Sequence, residues 1–175
     1  MEFLDKDLVS IQETRGLIRK AKEAQSKLAR MSQQDIDRIV KAISDAAYEN
    51  SEKLAKMANE ETGFGKWEDK VLKNVFAART VYESIKDTKT VGIVEENVEK
   101  RAFKIMVPVG VVAGLIPSTN PTSTAIYKAM ISIKARNAIV LSPHPSAKKC
   151  IIETAKIIAK AAERAGCPEG RSEER

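Results

Sequence analysis

Two short stretches carry residues that could meet a ligand. They are Pro117-Ser118-Thr119-Asn120-Pro121-Thr122 and Ser142-Pro143-His144-Pro145. Each follows an apolar run, Val109–Ile116 and Asn137–Leu141. Small polar residues at a strand end let a ligand approach the backbone, and a few polar atoms then fix its orientation. Asn120 precedes a proline, so one reading of it is an Asn-Pro turn whose side chain bonds its own backbone. His144 is the chain's one histidine, and its flanking prolines also suit an inert loop. Lys148 and Lys149 open the next helical stretch, where they could meet a phosphate or belong to a solvated face. Neither cysteine suits a nucleophile. Cys150 falls at helical spacing with Thr154 and Ile157, and Cys167 lies in the turn beyond. A reactive thiol needs an accessible, electropositive setting, whereas a buried one acts as a small hydrophobe.

The elements around these stretches follow from periodicity. From Val109 the order is strand, helix, strand, helix: Val109–Ile116, Ser123–Ala135, Asn137–Leu141 and Ser146–Ala165. A nearly all-apolar strand suits a parallel sheet covered on both faces. Such a βαβα unit begins a doubly wound nucleotide-binding sheet, in which ligands sit at the carboxyl ends of the strands. Both polar stretches, with Ser142–Pro145 read as a loop, fall there. Upstream, Thr90–Val94 and Ala102–Val107 read as a hairpin around a polar turn at Glu95–Lys100. The first part is helical, with Leu8, Ile11, Ile18, Ala21 and Leu28 near one face. Ser32 caps the next helix, with Asp35 in the Glu position of a capping box. Ile36, Ile39, Val40, Ile43 and Ala47 share one side of it. Ser51 caps a third helix through Met57, and Gly63 and Gly65 punctuate its end. Trp67–Ile85 follows as one helix, with Val71, Val75, Ala78, Tyr82 and Ile85 inward. The fold class expected is α/β. A helical region spans 1–88, a β-hairpin 89–108, a partial nucleotide-binding unit 109–170 and a polar tail 171–175.

Composition narrows the function classes. A hydrophobic fraction of 43% and a charged fraction of 31% suit a globular domain rather than a disordered chain. No apolar run reaches membrane-spanning length, and the acidic start, Met1-Glu2-Phe3-Leu4-Asp5, lacks a signal-peptide pattern. Two cysteines are too few for a disulfide framework, so a reducing, cytoplasmic setting is expected. The net charge is +6, from 30 basic and 24 acidic residues. Lysine and glutamate alternate along helices, and no basic patch with interleaved aromatics occurs, so neither a nucleic acid nor a membrane is an expected partner. No metal site is read from the sequence.

Val107–Pro121 resembles the first Rossmann strand and loop of the aldehyde dehydrogenase superfamily. Pro117-Ser118-Thr119-Asn120-Pro121, followed by Thr122-Ser123-Thr124, is similar to the CoA-acylating branch. That branch holds acetylating acetaldehyde dehydrogenases and the N-terminal half of bifunctional aldehyde-alcohol dehydrogenases. Other relatives usually carry Pro-Trp-Asn-hydrophobic-Pro at this loop. Ala135–Pro145 resembles the second strand, with Ser142-Pro143-His144-Pro145 where Lys-Pro-x-Glu stands outside the branch. Ala165–Gly170 resembles the Gly-x-Pro-x-Gly turn after the next helix, and Asp5–Glu13 also fits the branch.

The resemblance implies NAD-dependent oxidation of a short-chain aldehyde to acyl-CoA, with acetaldehyde, CoA and NAD⁺ giving acetyl-CoA and NADH. In that reaction a cysteine attacks the aldehyde, and the oxyanion formed needs preorganised donors. Asn120 is the implied donor. Pro117, Ser118 and Thr119 would line the nicotinamide side of NAD, and Ser142, Pro143 and His144 the adenosine end. CoA is the implied co-substrate. The hairpin resembles the family's oligomerisation element, which implies a homo-oligomer. The family's nucleophile lies downstream of this sequence, and an apolar strand follows Gly170 there. Arg171-Ser172-Glu173-Glu174-Arg175 is polar throughout and cannot fill a central strand. The chain is therefore expected to be an inactive N-terminal fragment, ending in a frameshift or premature stop. The alternatives are a residual nucleotide- or CoA-binding module and an oligomerisation module without catalysis.

Overall fold

Most helix signals act where the sequence places them, but Ser51 is the first residue of its helix and not its cap, which is Asn50. In the computed structural model, which describes residues 5–169, Asp5 accepts from the N–H groups of Asp7 and Leu8 and starts α1, Lys6–Leu28. The readings made of Met1–Leu4, of Gly170 and of the tail Arg171–Arg175 lie outside the described residues. Ser32 and Asp35 cap each other reciprocally at the start of α2, Gln33–Glu49, which satisfies backbone donors that the helix itself cannot. Ile36, Ile39, Val40, Ile43 and Ala47 are all buried. Helix α3, Ser51–Thr62, runs past Met57 and ends on Gly63 at φ 68°, a left-handed conformation that suits glycine.

The helix expected over 67–85 is continuous but not uniform. It runs as α4, Trp67–Val75, then a π-helical stretch, Phe76–Thr80, then α5, Val81–Ile85. The wider turn buries Ala77 and Ala78 side by side and leaves Phe76 exposed. No Gly or Pro marks it in the sequence, and π-turns are frequent at functional sites.

Strand β1, Gly92–Asn97, pairs antiparallel with β2, Ala102–Met106. Glu95, Glu96 and Asn97 belong to the strand, so the polar turn is shorter than expected and lies at 98–101. Strand β3, Val111–Ile116, pairs in parallel with β4, Ala138–Pro143, Val111 facing Ala138 and Ile116 facing Pro143. With α6, Pro121–Lys134, and α7, Lys148–Arg164, they form the expected βαβα unit. Ser142 and Pro143 end the strand rather than form a loop, and Pro145–Ala147 is a 3₁₀ turn into α7.

One expectation about burial needs correction. The β3 strand is not covered on both faces. Gly114 and Ile116 are buried, while Ala113 and Leu115 are exposed, because alternate side chains point to opposite faces and only one set meets the helices. The strand also starts two residues late. Val109 and Gly110 precede it, and their N–H groups both donate to Asn137 Oδ1, at 2.7 and 3.0 Å. The shared apolar face of α1 is covered only in its later part: Ala21 and Leu28 are buried, but Leu8, Ile11 and Ile18 are exposed among the described residues.

One core joins the N-terminal helices to the βαβα unit. Ile36, Ile39 and Ile43 of α2 pack in a single cluster with Ile126 and Met130 of α6 and Ile158 of α7. Truncating a fully buried Ile costs about 2–5 kcal/mol, whereas surface changes stay within about 0.5 kcal/mol. Ile36→Ala is therefore expected to cost at least about 2 kcal/mol in urea denaturation, and Ile11→Ala within about 0.5 kcal/mol.

Candidate functional site

The carboxyl ends of β3 and β4 lie side by side and form one hollow, and Asn120 lies in a second one between helices. A hollow of about 350 Å³ is lined by Leu115, Ile116, Pro117, Ser142, Pro143 and His144. A larger cleft of about 640 Å³ lies between α4, the π-helical stretch and α6, with Leu72, Lys73, Phe76, Asn120, Thr124 and Tyr127 among its walls. Pro117, Ser142 and His144 are exposed, and Pro143 is half-buried. Ser118, half-buried, and Thr119, exposed, connect the two hollows along the chain. The His144 imidazole Nδ1 accepts from the Ser146 N–H at 3.2 Å. That nitrogen shapes the turn into α7, and Nε2 is the one a ligand could meet.

Helix α4 holds the loop between the hollows at three points. Lys70 Nζ donates to the Thr119 carbonyl at 3.0 Å. Lys73 Nζ donates to Asn120 Oδ1 at 2.9 Å. Thr122 Oγ1 donates to Asn74 Oδ1 at 2.7 Å, and Asn74 Nδ2 donates to the Ser51 carbonyl at 2.9 Å. Asn120 is the residue before Pro121 at N1 of α6, but its side chain makes no cap bond to that helix. The self-bonded Asn-Pro turn is therefore not the arrangement found. Lys70 is 6% exposed. Burial, with the charge of Lys73 beside it, pushes its pKa below the usual lysine value, and Cys150 acts in the opposite direction.

Neither thiol is activated. Burial pushes Cys150 up to about 12, and the Glu61 carboxylate adds to this. Burial also pushes Cys167 up to about 11, helped by Glu163. Glu61, at the end of α3, accepts from the N–H groups of Lys149 and Cys150 at 2.8 and 2.7 Å. These are the first-turn donors of α7 that an anion would use, and the protein's own carboxylate holds them. Lys148 and Lys149 stay exposed beside it.

Residues 8–172 match the aldehyde dehydrogenase family. The chain belongs to that family. A bifunctional aldehyde-alcohol dehydrogenase of Escherichia coli strain K12 is 43% identical over 161 residues, which are 92% of this chain and 18% of that protein. An acetylating aldehyde dehydrogenase from Geobacillus thermoglucosidasius superimposes with a TM-score of 0.93 at 60% identity, over 96% of this chain and 37% of the other. A probable aldehyde dehydrogenase from Listeria monocytogenes EGD-e gives a TM-score of 0.93 at 66% identity, over 95% and 37%. The chain thus spans about a fifth of the bifunctional relative and over a third of the two solved enzymes.

Within this aldehyde dehydrogenase framework the sequence reading missed Lys70, Asn74 and Glu61. Each sits on a helix whose polar positions read as solvated, and each partner lies far along the chain, Thr119 from Lys70 and Lys149 from Glu61. Only the spacing of Lys70 and Asn74, one helical turn apart, hinted at a shared face. Burial opposes ionisation of Glu61, but the two backbone donors prevail and its pKa lies below the usual value. Its carboxylate therefore stabilises the fold above an unfolded pKa of about 4.3, and this is lost as pH falls through the lower folded value. Glu61→Gln is expected to cost about 1 kcal/mol at neutral pH. The difference from wild type should shrink on acidification below about pH 4, as read by urea denaturation across pH.

Proposed function

We propose that this chain forms the nucleotide-facing platform of an NAD-dependent, CoA-acylating aldehyde dehydrogenase. The observation that carries the proposal is the hollow formed by Leu115, Ile116, Pro117, Ser142, Pro143 and His144 at the carboxyl ends of two adjacent parallel strands, with Asn120 in a second cleft against α4 and α6. Open α/β sheets bind nucleotides in that position. The residues present fit part of a dinucleotide: a shallow wall of proline, serine and histidine offers little bulk, so a planar ligand can lie against the strand ends. Pro117, Ser118 and Thr119 would face the nicotinamide half, and Ser142, Pro143 and His144 the adenosine half. Bound NAD⁺ would supply the hydride acceptor.

The chain's own residues would then bind and orient. Asn120 would offer its amide N–H groups to the aldehyde oxygen in the larger cleft, where Leu72, Phe76 and Tyr127 offer apolar surface to an acyl chain. Donors aimed at a developing oxyanion lower the barrier most where water is kept out. The nucleophile would not come from Cys150 or Cys167, since burial holds both as thiols. Aldehyde and CoA would be the substrates of the whole enzyme, and the 175 residues alone are proposed to bind without turnover.

Titrating NAD⁺ into the ¹⁵N-labelled chain tests the platform. Part of a cofactor site supports a dissociation constant of about 1 mM. Saturable shifts are expected at Ser118, Thr119, Ser142 and His144, and none on the α3–α7 face around Lys53 and Glu153. An unchanged spectrum at the four strand-end residues contradicts the proposal.

A further inference from the structure

The three bonds from α4 to the loop are not equivalent. Lys70 holds backbone at Thr119, and Asn74 holds Thr122; Lys70, Asn74 and Thr122 are all buried. Lys73 is exposed, and among the described residues it alone is seen to bond the Asn120 side chain. The path of the loop therefore does not need Lys73, but the rotamer of Asn120 does. An ammonium can only donate, so the atom facing it is the amide's carbonyl oxygen. The N–H groups are then what Asn120 can give to anything else.

We propose that Lys73 is a positioning residue: by holding Asn120 Oδ1 it presents the Asn120 amide N–H groups to a carbonyl or oxyanion oxygen in the 640 Å³ cleft. Both residues line that cleft, whose other walls include Leu72, Phe76 and Val81. The bond has a second effect. A cation on the oxygen of an amide draws electron density from its nitrogen, and hydrogen bonds in series strengthen one another. Lys73 thus makes Asn120 a stronger donor as well as a fixed one. Without it the side chain is free to rotate, and an unaligned donor loses most of its value to a developing charge. The inference rests on reading Asn120 as the donor to the ligand, but its test reads the pair itself.

The test is side-chain ¹⁵N relaxation on the chain without ligand, with the Asn120 amide assigned by its loss in Asn120→Asp. The expected order parameter is about 0.8 in wild type and below about 0.6 in Lys73→Met. Lys66→Met removes an exposed lysine just before the same helix and should match wild type. Backbone order at 119–122 should stay unchanged in both variants. An unaltered Asn120 amide in Lys73→Met overturns the proposal, and so does an equal drop in Lys66→Met. Loosening of the 119–122 backbone in Lys73→Met also overturns it, because Lys73 would then brace the loop rather than set a rotamer. NAD⁺ is absent from the experiment, so a failure of nucleotide binding leaves this outcome separate.

Discussion

The buried amide of Asn74 is the interaction on which the site depends. It is fully buried and satisfied on both sides, donating to the Ser51 carbonyl and accepting from Thr122. One side chain thereby ties the start of α3, the last turn of α4 and the first turn of α6 together. A buried polar group left without a partner costs about 1–3 kcal/mol, so the three elements are held in one relative placement. Thr122 follows the loop Pro117–Pro121 directly, and the end of β3 fixes the loop's other side. The loop is consequently strung between a sheet edge and a helix that are each packed against the core. This explains how a stretch rich in serine, threonine and proline can keep a defined shape beside two open hollows.

The charges around the loop follow the same constraint. Lys70 is buried with a backbone carbonyl as its hydrogen-bond acceptor, and burial lowers its pKa. Such a cation costs stability unless its donors are used, and Thr119 uses one. On the far side, Glu61 occupies the first-turn amides of α7. A nucleotide at the ends of β3 and β4 would therefore meet the loop and the proline-histidine wall rather than an open helix terminus. The helical layer ahead of the sheet is thus more than packing, since it supplies Lys70, Lys73 and Asn74 on one side and Glu61 on the other. Membership of the aldehyde dehydrogenase family follows from the match over 8–172, and the same layer is present in the solved relatives that superimpose along 95–96% of this chain.

Much of the local structure was legible in the sequence because it depends on local signals. Ser32 and Asp35 form a capping box within four residues, Gly63 ends a helix through its own φ, and the βαβα order follows from apolar periods. The position of both polar stretches at the strand ends was legible for the same reason. Burial was harder. The apolar stripe of α1 reads like that of α2, yet Leu8, Ile11 and Ile18 are exposed because a stripe does not state what packs against it. Lys66, Lys70 and Lys73 look alike in sequence, and only the approach of Thr119, from 49 residues away, makes Lys70 a buried anchor. The π-turn at Phe76–Thr80 has no residue signature, although it decides that Phe76 opens onto the cleft.

Amide hydrogen exchange on Asn74→Ala tests most directly whether that side chain couples the helical layer to the loop. The account predicts that protection at Thr124 and Ala125, in the first turns of α6, falls at least about tenfold, a change of about 1.4 kcal/mol. Protection in the middle of α2 and α7 should stay near wild type. Equal loss across all three helices, or none in α6, would contradict it.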